Sequence, residues 1–149
     1  KKADMVIASA CGYPKDINLY QTSKTIINSQ DAVELGDGVM IIVSECSEGW
    51  GSPDTEKFAV DFDNTLDREQ YCRDNYTIGM NVAYLEFALA EELHFILVSS
   101  MAPELFSKTK IHPVSTITEA VELAKKLTGK DHLSTYLLPH GANTCVSIK

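Results

Sequence analysis

The segment "DMVIASACGYPKDINLYQTSK" (residues 4–24) decides the fold, because it passes from a buried strand through a glycine loop into a helix. Its first six residues form a continuous apolar run, which is typical of a parallel strand covered on both faces. Gly12 permits a tight turn after the strand, and Pro14 stiffens that turn. Asp16 is the predicted N-cap of a helix that runs to about Val33, before the glycines of "LGDG". The segment therefore predicts the first β-α unit of an α/β domain.

The remainder of the chain alternates apolar runs with helical patterns in the same way. Three further apolar runs predict buried strands at residues 39–45, 94–100 and 134–139. Helical patterns start at Ser52 and Pro53, start again at Asn64 or Thr65, and cover residues 81–93 and 116–127. On the pattern at 81–93 the predicted buried face carries Val82, Leu85, Leu89 and Leu93. This alternation predicts one domain over residues 1–149: a small Rossmann-like α/β sandwich with a mainly parallel sheet of about four strands and helices on both faces.

Composition excludes several functional classes. A net charge of −8 argues against nucleic acid and anionic membrane surfaces as partners, because both are bound by clustered lysine and arginine. No apolar run approaches the roughly 20 residues that span a bilayer. The cysteines lack a C-x-x-C pair and favour a reducing cytoplasm over a disulfide framework: Cys11, Cys46, Cys72 and Cys145. The histidines are equally scattered, so their spacing predicts no metal site: His94, His112, His132 and His140.

The loops that follow the predicted strands are the expected location of the functional site. In parallel α/β sheets, ligands bind in the crevice beyond the carboxyl ends of the strands. The loops at those ends are polar and three of them contain glycine: "SACGYPKD", "ECSEGWGSP", "SSMAPE" and "PHGANTC". Within them, Glu45 and Glu48 could line a cleft or shape a turn. His140 could act as a base or be a solvent-exposed loop residue, and the second interpretation is favoured.

A competing motif, "FAVDFDNTLD" (residues 58–67), resembles the nucleophile loop of haloacid-dehalogenase-type phosphatases. In that chemistry Asp61 would attack phosphorus and Asp63 would act as acid and base beside Mg²⁺. The nucleophile of such an enzyme must follow a buried strand, whereas residues 58–60 follow the helix start at Ser52. Helical spacing around Asp61 therefore makes the phosphatase the weaker hypothesis.

The helix after the first loop carries a pair of polar side chains suited to a small carboxylate. Gln21 and Lys24 lie three residues apart on one face, Asn28 follows one turn later, and Tyr20 lies beside them. An ammonium supplies charge and an amide fixes orientation. A solvated helix face explains the same residues, and from spacing alone both interpretations stay open. The other side of this helix is predicted to be buried through Ile17, Ile27 and Val33.

The segments "DMVIASACGYPKDINLYQTSK", "GVMIIVSECSEGWGS" and "YTIG…FILVSSMAPEL" together resemble the C-terminal domain of nickel-pincer-dependent lactate racemases and related 2-hydroxyacid racemases. The similarity extends from Ala3 through "LLPHGANT". The chain departs from the family pattern at Met80, Asn81 and Val82, where relatives often carry His-Lys, and after Thr144, where the closing proline is missing. The resemblance implies that residues 1–149 are the C-terminal domain of a longer protein whose partner is its own N-terminal domain.

The resemblance also implies a reaction. In this family a 2-hydroxyacid gives its α-hydride to a nickel pincer nucleotide bound mainly by the N-terminal domain. Gln21 and Lys24 match the substrate-facing motif and are the implied catalytic groups, with Tyr20 and Trp50 as further substrate-binding residues. The domain alone is expected to be inactive and to bind no cofactor or metal. The alternative is a non-catalytic binding or scaffold domain with the same fold.

Overall fold

The computed structural model describes residues 1–147, in which five strands form a single parallel sheet. The strands are β1 (Met5–Ser9), β2 (Val39–Val43), β3 (His94–Val98), β4 (Ile111–Val114) and β5 (Thr135–Leu138). Their order across the sheet is β4-β3-β2-β1-β5, and every neighbouring pair is parallel. The predicted fold class is confirmed, with one strand more than expected.

Five α-helices connect these strands: α1 (Leu19–Ser29), α2 (Pro53–Val60), α3 (Thr65–Asp74), α4 (Ile78–Glu92) and α5 (Ile117–Thr128). Three short 3₁₀ helices cover Gln30–Ala32, Pro103–Phe106 and Gly141–Asn143. Two predicted caps are confirmed, since the side chain of Ser52 accepts hydrogen bonds from the first turn of α2 and that of Asn64 does so in α3. Local side-chain chemistry therefore sets these helix starts.

Strand β4 is the element that the sequence pattern misses. It is only four residues long, "IHPV", and its third residue, Pro113, lies beside Leu97 of β3. Proline cannot donate to a sheet ladder, so it is tolerated at an edge strand that has no neighbour on its outer side. The order of the sheet places β4 at such an edge.

Helix α1 starts two residues later than predicted and ends at Ser29, before the predicted Val33. Its N-cap is Asn18, whose Oδ1 accepts from the backbone N–H of Gln21 at 2.9 Å. Asp16 is not the cap; its carbonyl oxygen instead accepts from the N–H of Cys46. On the buried side Ile26 is 2% exposed, whereas the predicted Ile27 is 40% exposed. Val33 is buried as predicted, although it lies beyond the end of α1.

The sheet is covered on both faces by different helices. On one face, α1, α2 and α4 bury apolar side chains of β1, β2 and β3 in a large core that includes Leu19, Phe58 and Phe87. On the other face α5 alone packs Ala120 and Ala124 against the sheet. Burial of this apolar surface is the main stabilising term of such a sandwich.

Helix α4 buries a different face from the one predicted. Its buried residues are Met80, Ala83, Glu86, Phe87 and Ala90. Of the predicted positions, Leu93 is buried just after the helix and Leu89 packs against the core, whereas Leu85 is 44% exposed. Glu86 is fully buried, and neither of its carboxylate oxygens has a hydrogen-bond partner within residues 1–147. Burial raises the pKa of this carboxyl well above its usual range, so folding favours the protonated form of Glu86.

Glu86→Gln should change the pH dependence of stability. The unfolded carboxyl ionises near pH 4.3, while the folded one keeps its proton, so raising the pH favours the unfolded state. Between pH 5 and 8 the free energy of unfolding of the wild type should fall relative to Glu86→Gln, by at most about 1.4 kcal/mol per pH unit. Urea unfolding across this range measures the difference. Parallel profiles for the two proteins would contradict a buried neutral Glu86, and Glu122→Gln, on exposed α5 surface, is the matched control.

Arg68 of α3 joins several elements through its buried guanidinium. It donates to the carbonyl oxygens of Phe58 at 2.9 Å, Phe62 at 2.7 Å and Lys108 at 3.1 Å, and to the carboxylate of Glu91 at 3.2 Å. Its side chain is 1% exposed. A planar group with five donors can satisfy several acceptors at once, which explains an arginine at this position.

Arg68→Ala should lower the free energy of unfolding by about 3–5 kcal/mol, because it leaves buried carbonyl oxygens without donors. The matched control is Arg73→Ala on the same helix, whose solvent-exposed ion pair with Glu69 should contribute little to stability. Chemical denaturation of both variants measures the contrast. An equal decrease in the free energy of unfolding for both variants would show that the hydrogen bonds of Arg68 do not hold these elements together.

Candidate functional site

The site is framed by two loops at the carboxyl edge of the sheet, residues 10–18 after β1 and residues 44–52 after β2. Four backbone hydrogen bonds join them: Cys46 N–H to Asp16 O at 2.7 Å, Glu48 N–H to Ile17 O at 2.8 Å, Leu19 N–H to Gly49 O at 2.9 Å and Tyr20 N–H to Trp50 O at 3.1 Å. The last two bonds engage N–H groups at the start of α1, which otherwise lack helical partners. The second loop therefore fixes where α1 begins and how it is oriented.

Gly51 is required by the close approach of these loops. Its φ of 72° lies in the left-handed region, and a Cβ atom there would lie 2.1 Å from Cγ of Asn18. Asn18 is the cap of α1 and is 8% exposed. The glycine in the second loop thus makes room for the side chain that starts the helix.

A chain of side-chain hydrogen bonds lies beneath the loops. The thiol of Cys46 donates to Ser44 Oγ at 3.3 Å, the oxygens of Ser44 and Thr22 lie 2.6 Å apart, and Thr22 Oγ1 donates to Asn18 O at 2.9 Å. All four residues are buried. Burial raises the pKa of the Cys46 thiol, so this cysteine serves as a structural donor and not as a nucleophile.

Gln21 and Lys24 lie together on α1, as their spacing predicts. Lys24 Nζ donates to Gln21 Oε1 at 2.9 Å, which leaves the amide N–H₂ of Gln21 free to donate elsewhere. Lys24 is exposed, and Gln21 and Tyr20 are half-buried. No carboxylate of residues 1–147 lies within ion-pair distance of Lys24. The pair thus presents an ammonium and an amide donor, the groups that bind a small carboxylate.

The segment after β5 packs along the same helix. Asn28 Nδ2 donates to the carbonyl oxygens of Gly141 at 3.3 Å and Ala142 at 3.2 Å, and Lys15 Nζ donates to Asn143 Oδ1 at 2.5 Å. Glycine is needed at 141, because a Cβ atom there would lie 2.8 Å from Cγ2 of Thr25. These contacts join sequence positions more than a hundred residues apart, so helical spacing alone could not reveal them.

Trp50 occupies a different environment from the one predicted. Its side chain is 7% exposed, and its ring lies 5.0 Å from that of Phe106 and 6.4 Å from that of Phe87, measured between centroids. The indole therefore belongs to the core between α4 and the Pro103–Phe106 turn. The substrate contact of Trp50 stays a prediction, and its backbone oxygen accepts from the N–H of Tyr20 at the start of α1.

The remaining polar candidates are distributed over the loops. His140 is exposed, and its carbonyl oxygen accepts from the Thr144 hydroxyl at 2.8 Å in the turn that follows β5. Glu45 and Glu48 are both exposed; the backbone oxygen of Glu45 accepts from the hydroxyls of Ser99 and Ser100. The structure gives His140 no partner that would make it a base and leaves both glutamate side chains accessible.

The phosphatase motif lies in the wrong structural setting for its chemistry. Asp61 is the C-cap of helix α2 and pairs with Lys57 at 2.6 Å on the surface, so no strand precedes it. Asp63 is exposed and lies 3.8 Å from Lys108. The part of the chain that the structure describes has no group of three His, Cys, Asp or Glu side chains able to hold a metal ion. Its helices are also too short or too polar to cross a bilayer.

Comparison with known proteins now identifies the family. Residues 1–146 match the family model for the lactate racemase C-terminal domain. The chain belongs to this family. It is 28% identical over 157 aligned residues to the lactate racemase of Thermoanaerobacterium thermosaccharolyticum, and the alignment covers all of this chain but 36% of that protein. The solved structure of the lactate racemase apoprotein from the same organism superimposes with a TM-score of 0.88 at 26% identity, over 99% of this chain and 36% of the other. The racemase-type domain thus spans about a third of the length of these relatives.

Gly51→Ala should destabilise the domain by about 2 kcal/mol or more, because it combines a strained φ with a clash against Asn18. Gly49→Ala is the matched control in the same loop. Its φ of 64° is also strained, but a Cβ atom there meets open space, so only about 1–2 kcal/mol is expected. Denaturant unfolding and the amide shift of Gln21 measure both effects. If Gly51→Ala lowers the free energy of unfolding no more than Gly49→Ala does, the close approach of the two loops does not require glycine at position 51.

Proposed function

We propose that this domain supplies the substrate-side groups of a 2-hydroxyacid racemase, with Lys24 and Gln21 binding the substrate carboxylate. One observation carries the proposal: Lys24 and Gln21 form a hydrogen-bonded pair on the surface, with no carboxylate of residues 1–147 in ion-pair distance of the ammonium. Membership of the lactate racemase C-terminal domain family supports it.

The two side chains have complementary roles. Lys24 contributes a point charge that attracts the carboxylate, and the amide N–H₂ of Gln21 donates a second hydrogen bond in a fixed direction. Because the carbonyl of Gln21 accepts from Lys24, each group orients the other. Tyr20, the neighbouring half-buried residue, borders the bound acid.

This arrangement suits inversion at the α-carbon. A carboxylate held at two points stays in place while the α-carbon loses a hydride and the hydroxyl loses its proton to a base of the N-terminal domain. The resulting 2-keto acid is planar, so the hydride and the proton can return with the hydride on either face. Anchoring through the carboxylate also favours the transition state, since the anchored group need not reorganise during the reaction.

The hydride acceptor belongs to a different part of the protein in this proposal. The family resemblance implies a nickel pincer nucleotide, which supplies that acceptor when bound. Residues 1–147 offer no set of three ligands for nickel, so they do not fit as its binding site. We therefore place the cofactor on an N-terminal domain of the full-length protein and infer that residues 1–149, its C-terminal domain, are inactive alone. A cytoplasmic location remains a prediction.

Lys24→Ala in the full-length protein should lower kcat/KM for lactate racemisation roughly 30- to 1,000-fold, equivalent to ~2–4 kcal/mol of transition-state stabilisation. Gln21→Glu should also impair the enzyme, because it introduces a carboxylate that pairs with Lys24 and repels the substrate. Racemisation is followed by polarimetry or by chiral chromatography.

Lys126→Ala is the matched control, since it removes an exposed lysine from α5 on the opposite face of the sheet. Its kcat/KM should equal that of the wild type. If Lys24→Ala behaves like Lys126→Ala in an active protein, Lys24 does not bind the substrate. The alternative of a non-catalytic binding or scaffold domain predicts a full-length protein without racemase activity.

A further inference from the structure

A cavity of about 450 Å³ opens at the carboxyl edge of the sheet where β2, β3 and β4 end. It is lined by residues 43–45, residues 98–103 and Ser115. Val43 and Val98 belong to the core on the α5 side of the sheet, whereas α1 packs on the opposite face. The cavity therefore shares no residue with the Gln21–Lys24 pair.

Topology marks this place as a crevice. After β3 the chain turns to the face covered by α1, α2 and α4, where Phe106 packs into the core. After β4 it turns to the other face and forms α5. Connections that leave neighbouring strands toward opposite faces create the crevice in which open α/β sheets bind their ligands. The volume also falls within the usual range of ligand pockets.

The lining is rich in hydrogen-bond acceptors. The hydroxyls of Ser99 and Ser100 donate to the backbone oxygen of Glu45 at 3.0 and 2.9 Å, and Ser99 Oγ also accepts from the N–H of Met101 at 3.1 Å, so both hydroxyls can offer a ligand only acceptor capacity. The carboxylate of Glu45 adds two acceptor oxygens. None of the lining residues is a lysine or arginine. Phosphates and carboxylates are therefore disfavoured here, while a ligand that donates several hydrogen bonds is favoured.

The rest of the lining is mostly apolar. Its apolar members are Val43, Val98, Met101, Ala102 and Pro103. A ligand that matches this mixed lining combines an apolar body with adjacent hydroxyl groups. Carboxylates at the edge of such sheets bind the two hydroxyls of ribose in this manner.

We propose that this cavity binds a neutral ligand with vicinal hydroxyls, of the nucleoside type, with the Glu45 carboxylate accepting hydrogen bonds from both hydroxyls. The apolar side chains of the lining contact the flat body of the ligand. This proposal does not rest on the racemase function: the cavity contains neither Gln21 nor Lys24, and only Ser44, which contacts Thr22 of α1, connects the two places.

Adenosine titrated into the ¹⁵N-labelled 149-residue chain tests the proposal by NMR. Adenosine should shift the amides of residues 43–45, 98–103 and 115 and leave those of α1 in place. 2′,3′-Dideoxyadenosine, which lacks both hydroxyls, should bind at least tenfold more weakly. Glu45→Gln should weaken adenosine binding about tenfold, whereas Glu48→Gln, an exposed glutamate in the same loop outside the cavity, should not change it.

Three results would overturn the site. Adenosine at millimolar concentration could cause no shifts, the dideoxy compound could bind as well as adenosine, or Glu45→Gln could bind like Glu48→Gln. The spectrum of each variant also reports whether it is folded, so a loss of binding is separable from a loss of structure.

Discussion

The backbone hydrogen bonds between the loops after β1 and β2 are the constraint on which the proposed site depends. They engage the first N–H groups of α1, so that the start of this helix is set by the second loop as well as by its own cap, Asn18. Gly51 permits the approach, and the buried Thr22–Ser44 contact supports it from below. A polar pair on an exposed helix face gains a defined position only because the helix beneath it is fixed in this way.

The two faces of the sheet differ in the helices that cover them and in the size of the core beneath. The face with α1, α2 and α4 contains the larger core, the buried Arg68 that joins several elements, and the fully buried Glu86. The α5 face is covered by a single helix and leaves an open crevice at its carboxyl edge. A fold with ligand-accessible edges on both faces can hold an anion on one side and a neutral, hydroxylated molecule on the other.

Sequence patterns predict the features that depend on neighbouring residues. Four of the five strands and the caps Ser52 and Asn64 follow from local apolar runs and side-chain chemistry. The proximity of Gln21 and Lys24 follows from helical spacing. Sequence patterns do not predict features that depend on contacts between residues far apart in the sequence. Strand β4 is not recognisable from its sequence because it contains Pro113, and its strand conformation comes from pairing with β3. Trp50 lies in the core, where its ring packs against those of Phe87 and Phe106. The contact of Asn28 with the segment after β5 had no local signal at all.

The central claim is that Lys24 and Gln21 together bind the carboxylate of a 2-hydroxyacid. A structure of the full-length protein with oxamate, an unreactive carboxylate analogue of pyruvate, tests this most directly. The predicted result is a carboxylate about 2.7–3.2 Å from both Lys24 Nζ and Gln21 Nε2. A carboxylate held by other side chains, with Lys24 still bound only to Gln21, would contradict the claim.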